Sequence, residues 1–83
     1  MDSTTLEDRI IAIIAKQANI NEAQVTSDTN VHTDLGLDSL DQANVLFALE
    51  DELGVYLSFE EGIQCNTVQG YIDLVKSAQS SRV

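Results

Sequence analysis

From Leu6 onward, apolar residues return at Leu6, Ile10, Ile13 and Ile14, the stripe of a 3.6-residue helix. The "TTLE" segment gives Thr4 and Glu7 the spacing of a capping box, so the pattern predicts a first helix from Leu6 to near Ala18. Next comes "NINEAQVTSDTNVHTDLGLD", about twenty polar residues with apolar anchors only at Ile20, Val25, Val31, Leu35 and Leu37. So long a connection in so short a chain is either functional or hides a further element. Helical periodicity resumes at Asp38, a good N-cap with Asp41 three residues on. It predicts a second helix to about Leu53, stopped by Gly54. "SFEEGIQC" allows a short third helix, weakened by Gly62. "NTVQGYIDLVKSAQ" predicts a fourth, with Asn66 as cap, Gln69 at the capping-box position, and Val68, Tyr71, Ile72 and Val75 on one face. No useful stretch alternates with a two-residue period. The expected fold is all-α: a small four-helix bundle of three main helices plus a short third one, with a long loop between helices one and two.

Length and composition fit that picture. Eighty-three residues, 43% of them hydrophobic, describe a single domain over residues 1–83. Its ordered core is expected over about residues 4–78, ahead of the polar tail "SSRV". Four Lys and Arg against fourteen Asp and Glu give a net charge of -10, which disfavours nucleic acid and anionic membranes and favours partners with basic faces. A monomer is expected. Cys65, the only cysteine, forms no internal disulfide, and "MDSTTLEDRI" lacks the regions of a signal peptide, so a cytoplasmic location is expected. No apolar run approaches the roughly 18 residues of a membrane span.

The second helix has two apolar sides. At about 100° per residue, Val45, Leu46, Leu49 and Leu53 cluster as core. Leu40 and Phe47 point the other way, flanked by Ala43 and Asn44, and Glu50 and Asp51 complete the same outward surface. Single exposed apolar residues are ordinary, and the long loop offers a cover for them. Apolar anchors rimmed by Asp38, Asp41, Glu50, Asp51 and Glu52 read instead as a docking stripe that steers toward a basic partner.

"DLGLDSLD" places Ser39 at the start of this helix. Three roles are open to it. A catalytic nucleophile needs a base and an oxyanion hole, yet no G-x-S-x-G elbow is present, and the only histidine, His32, lies seven residues upstream. An ordinary structural serine merely opens the helix. A covalently modified serine requires only exposure and recognition, and a phosphodiester there meets free backbone N–H groups and the positive end of the helix dipole.

"LGLDSLDQANVLFALEDELG" closely resembles the region around the modified serine of acyl carrier proteins, and the likeness runs from "LEDRIIAII" to "NTVQGYIDLV". It implies that a phosphopantetheinyl transferase moves the 4′-phosphopantetheine arm of coenzyme A onto Ser39, between Asp38 and Leu40. Such a carrier is not itself an enzyme. Its arm holds acyl intermediates as thioesters in fatty-acid, specialised lipid or polyketide biosynthesis. The alternatives are aminoacyl or peptidyl cargo, or an unmodified acidic helical interaction module. The resemblance places partner contacts on the outward stripe, with Asp38, Leu40, Asp41, Ala43, Asn44, Phe47, Glu50 and Asp51 as recognition residues. The expected partners are the transferase and the acyl-loading, elongating or acyl-transfer enzymes with basic docking faces. Four positions depart from the family pattern: Asn44 replaces a common acid, Ile63 a commonly polar or acidic residue, Ser58 a frequent proline and Cys65 a branched aliphatic. They imply a restricted partner set.

Four other features have plainer readings. Cys65 reads as a small buried hydrophobe. His32 offers a pH-sensitive latch between the loop and helix two, against the reading of an exposed histidine without a role. Asp28, Asn30 and His32 alternate as EF-hand ligands do, but Thr33 stands where that loop requires glycine, so no metal site is expected. The four isoleucines of helix one and Phe47 offer the lining of an acyl pocket, but ordinary core packing explains most of them without cargo.

Overall fold

The computed structural model describes residues 5–80. Four helices follow one another: α1 (Leu6–Ala18), α2 (Ser39–Leu53), α3 (Phe59–Gly62) and α4 (Val68–Ser80). A 3₁₀ turn at Glu22–Gln24 lies within the long connection. Among the described residues no strand forms; one antiparallel bridge pairs Asn30 with Thr67. The bundle is the one the periodicity predicts, and α4 continues through Ser80. The rest of the predicted polar tail, residues 81–83, lies outside the described residues, as does Thr4.

Two predicted caps move by one residue. The α1 capping box is built on Thr5 and Asp8, not on Thr4 and Glu7. Thr5 Oγ1 accepts from the Asp8 N–H at 3.1 Å, and the Asp8 carboxylate accepts from the Thr5 N–H at 3.4 Å. That start leaves Glu7 facing α4, where Lys76 Nζ lies 3.0 Å from its carboxylate. Both side chains are about half exposed, so this pair contributes little to stability. At α4 the Asn66 carbonyl accepts the Val31 N–H at 2.8 Å, and Thr67 caps instead, accepting the Gly70 N–H at 3.3 Å. Gln69 turns forward to Asp73, at 2.9 Å, rather than back toward a cap.

The core gathers Ile10, Ile13 and Ile14 of α1, Val45, Leu46 and Leu49 of α2, and Val68, Tyr71, Ile72 and Val75 of α4. Each large side chain buried in this way stabilises the fold by roughly 1.5–3 kcal/mol. Leu53 is only partly buried at its edge. The sparse anchors of the long connection reach the same core: Val25, Val31 and Leu37 are buried, and Ile20 and Leu35 pack against them. Backbone bonds then stitch the connection to α4, with Val68 N–H on the Thr29 carbonyl at 3.0 Å and Gln69 N–H on the Ser27 carbonyl at 2.9 Å. Its length is therefore well ordered, with few apolar residues doing the anchoring.

Gly62 has a different meaning from the weakness its sequence context suggests. It is buried, and a Cβ built there would overlap the Leu46 side chain, so its missing side chain is what lets α3 lie against α2. Gly54 ends α2 with φ +66°, a left-handed cap that a side chain would strain.

Candidate functional site

The loop before α2 is shaped mainly by its own polar side chains. Asn30 Oδ1 accepts the His32 and Thr33 N–H groups at 2.8 and 2.9 Å, and the Asp34 carboxylate accepts the Asn30 N–H at 2.8 Å. Gly36 turns with φ +69°, and the Leu37 N–H returns to the Val31 carbonyl at 2.9 Å. Leu37 is buried, and the next residues emerge at the surface as the start of α2.

His32 fastens this closed loop. Its Nδ1 lies 3.1 Å from the Leu37 carbonyl. A carbonyl only accepts, so Nδ1 carries the hydrogen. The bond is a latch within the loop: its partner, Leu37, precedes α2, so it does not join the loop to helix two. His32→Ala is expected to destabilise the fold by about 1 kcal/mol and to speed amide exchange at residues 37–40, whereas His32→Asn, which keeps a donor near Nδ1, restores both. Nitrogen NMR of the neutral ring should show the Nδ1–H tautomer; the Nε2–H tautomer would break the latch.

Asp38 caps α2 as the sequence predicts. Its carboxylate accepts the Asp41 N–H at 3.0 Å, and the Asp41 carboxylate accepts the Asp38 N–H at 3.3 Å. With these two N–H groups satisfied, those of Ser39 and Leu40 have no acceptor among the described residues. They sit at the positive end of a 15-residue helix. Ser39 is exposed, and no described residue engages its hydroxyl.

Behind this exposed turn stands a residue to which the hydrophobic pattern assigns no role. Gln42 is 1% exposed, and its Nε2 donates to the Cys65 carbonyl at 2.9 Å and to the Tyr71 hydroxyl at 2.8 Å. It ties the first turn of α2 to the α3–α4 junction and to α4. The signal was present in the spacing: Gln42 falls three, four and seven residues before Val45, Leu46 and Leu49, so a polar side chain occupies the core stripe.

The outward stripe is mostly as predicted. Leu40 is 70% and Phe47 62% exposed, with Asn44 and Asp51 exposed beside them. Two of its expected members differ. Ala43 is buried, because it lies three residues before Leu46 on the edge of the core face. Glu50 is half-buried, and its Oε2 accepts the Leu57 N–H at 2.8 Å, holding the chain that leaves α2.

Charge is distributed unevenly along the chain. Residues 17–75 hold eleven carboxylates and no Lys or Arg. Arg9 instead donates to the Glu52 carbonyl at 3.2 Å, complementing the negative C-terminal end of α2. Among the described residues no cluster of three potential metal ligands occurs, and no helix is long and apolar enough to cross a membrane. The Cys65 thiol is pushed up by burial and then by the negative charges of Glu61 and Asp73, which keeps it protonated and inert at neutral pH.

A family model described as a phosphopantetheine attachment site matches residues 8–75, a span that includes the whole of α2. The chain is also similar in shape to the NMR solution structure of 3-oxo-butyl-ACP, an intermediate mimic from the actinorhodin polyketide synthase of Streptomyces coelicolor. The TM-score is 0.76 at 20% identity, with the full length of both chains covered. At that identity the likeness establishes a common fold.

Proposed function

The chain belongs to the phosphopantetheine-attachment family, and on that premise we propose that Ser39 carries its 4′-phosphopantetheine and that the cargo is an acyl group. One observation carries the assignment: Ser39 is the exposed first residue of α2, with its hydroxyl unengaged and unsatisfied N–H groups at its own position and at Leu40. Those groups fit the oxygens of a phosphodiester. Asp38 and Leu40 flank the attachment point, one as cap and one as exposed apolar contact.

The bound arm ends in a thiol that holds cargo as a thioester. The chain's own part is to present the serine and to be read. No described residue engages the Ser39 hydroxyl, so the base that takes its proton belongs to the visiting transferase. Attachment forms a bond from Ser39 Oγ to phosphorus while the pyrophosphate link of coenzyme A breaks and the nucleotide leaves. Carriers of this family serve a phosphopantetheinyl transferase and biosynthetic enzymes. For this chain we assign acyl-loading, elongating and acyl-transfer enzymes of the fatty-acid or polyketide type. The 3-oxo-butyl group named for the protein of like fold supports acyl cargo. The carrier acts as a cytoplasmic monomer. Asn44 and Ile63, each less acidic than the family pattern, restrict its partners.

Docking on α2 combines Leu40 and Phe47 as contacts with Asp38, Asp41 and Asp51 as steering charges. Phe47→Ser is expected to lower kcat/KM of an acyl-transfer partner about tenfold, the loss of one exposed aromatic anchor, with an unchanged melting curve. Added salt should weaken the same encounter through kon. Unchanged kinetics in both experiments would remove the docking stripe from the account.

Intact mass after incubation with coenzyme A, magnesium and a broad-specificity transferase tests the carrier assignment. One phosphopantetheine per chain is expected. No increment would favour the unmodified interaction module.

A further inference from the structure

Two aromatic residues at the far end of α2 are left without a role by phosphopantetheine carriage. Tyr56 is 92% exposed and Phe59 51% exposed, on either side of Ser58. The exposure of Tyr56 is built in. Val55 and Leu57, its neighbours, are each only 7% exposed, and the Leu57 N–H is held by Glu50 at 2.8 Å, so the segment is fixed on both sides and its middle residue points out. Phe59 opens α3 behind the Ser58 cap, which accepts the Glu61 N–H at 3.3 Å. Beside Tyr56 a shallow groove of about 310 Å³ includes Leu57, Leu74 and Ala78 in its lining. Ring contacts held in place in this way bury apolar area on binding at small entropic cost.

We propose that Tyr56 and Phe59 form a second docking surface, for a basic protein face that sets an apolar side chain into the groove beside Tyr56. Charge selects this occupant. Asp51, Glu52, Glu60 and Glu61 are exposed on the segments that flank the rings, and no Lys or Arg occurs from residue 17 to residue 75. A second copy would bring the same acids and a net charge of -10 against them, and an anionic lipid surface would be repelled in the same way. A partner that places Lys or Arg opposite these acids gains both steering and contact. The rings belong to the segment that follows α2, whereas Ser39 is the first residue of that helix. The surface does not depend on which residue bears the arm.

The test uses the full chain, nitrogen-15 labelled, titrated with a short amphipathic helical peptide carrying lysines on one face and leucines on the other. Amide shifts at residues 54–61 and 74–78 are expected. Tyr56→Ser combined with Phe59→Ser should weaken binding at least about fivefold, and Tyr56→Phe should retain it. Because both rings are exposed, circular dichroism should show the double variant folded; if it is not, the single Tyr56→Ser variant is read instead. Shifts confined to residues 38–51, unchanged affinity in the double variant, or no peptide binding would overturn the proposal. So would self-association of the chain, or binding to phosphatidylglycerol vesicles, that depends on these two rings.

Discussion

Ser39→Ala is expected to abolish phosphopantetheine transfer completely while leaving stability within about 0.5 kcal/mol of the wild type. The two halves of that result rest on different observations. Loss of transfer follows from chemistry, since alanine has no oxygen to bond to phosphorus. Preserved stability follows from position: the residue is exposed, its hydroxyl engages no described residue, and alanine is the better helix former at the first turn of α2. The Asp38–Asp41 box that starts the helix uses neither atom of the substituted side chain. A transfer assay beside a thermal melt reads both. Residual transfer would move the attachment point to another hydroxyl.

Gln42→Ala should have the largest effect on stability, about 2 kcal/mol, with the melting temperature lowered by roughly 10 °C. The substitution removes two hydrogen bonds at once and leaves the Cys65 carbonyl without that amide donor, beside a new cavity next to Tyr71. It also releases the first turn of α2 from α4. Amide exchange should therefore accelerate at residues 39–43 more than in α1. Urea or thermal unfolding gives the magnitude, and a change below about 0.5 kcal/mol would contradict the role assigned to this side chain. Tyr71 adds a signature in alkali. Burial pushes its phenol from 10.0 up to about 12, against the lowering effect of the Gln42 amide. Between those values the unfolded chain releases the proton first, so the contribution is complete below pH 10 and is lost as pH rises toward about 12. Unfolding midpoints compared at pH 9 and pH 11 should fall in that direction.

The bundle was legible because its elements carry strong local signals. Helical spacing marks Ile10, Ile13 and Ile14, and Gly54 marks the end of α2. Asp38 and Asp41 could be identified as a cap pair because capping depends on residues three apart, well within reach of sequence reasoning. The failures are where two neighbouring residues compete or where a distant segment decides. Thr4 and Thr5 offer equivalent caps, and the choice of Thr5 leaves Glu7 facing Lys76, sixty-nine positions away. Asn66 and Thr67 compete likewise, and Asn66 gives its carbonyl to Val31. Ala43 lies on the border between the two faces of α2, where an ideal 100° step does not determine burial. Glu50 looked like a free surface acid because nothing local reveals that Leu57 folds back onto it.

The candidate site divides in the same way. Ser39, Leu40 and Phe47 stand where the helical phase and the family resemblance both put them on the surface. The supports beneath them were less visible. His32 acts on Leu37 across a loop that the pattern leaves shapeless, and Gln42 joins residues 23 and 29 positions away. Long-range polar bonds of this kind have no sequence period. A polar residue on an otherwise apolar stripe was the one available clue, and Gln42 displays it.

The central claim is that this chain carries acyl groups on a phosphopantetheine arm at Ser39. Tandem mass spectrometry of the protein isolated from its own cell tests it most directly, by locating the arm and weighing what hangs from its thiol. The account predicts phosphopantetheine on Ser39 alone, with an acyl thioester on a fraction of the molecules. An arm on another residue, an aminoacyl cargo, or chains that never carry an arm would contradict it.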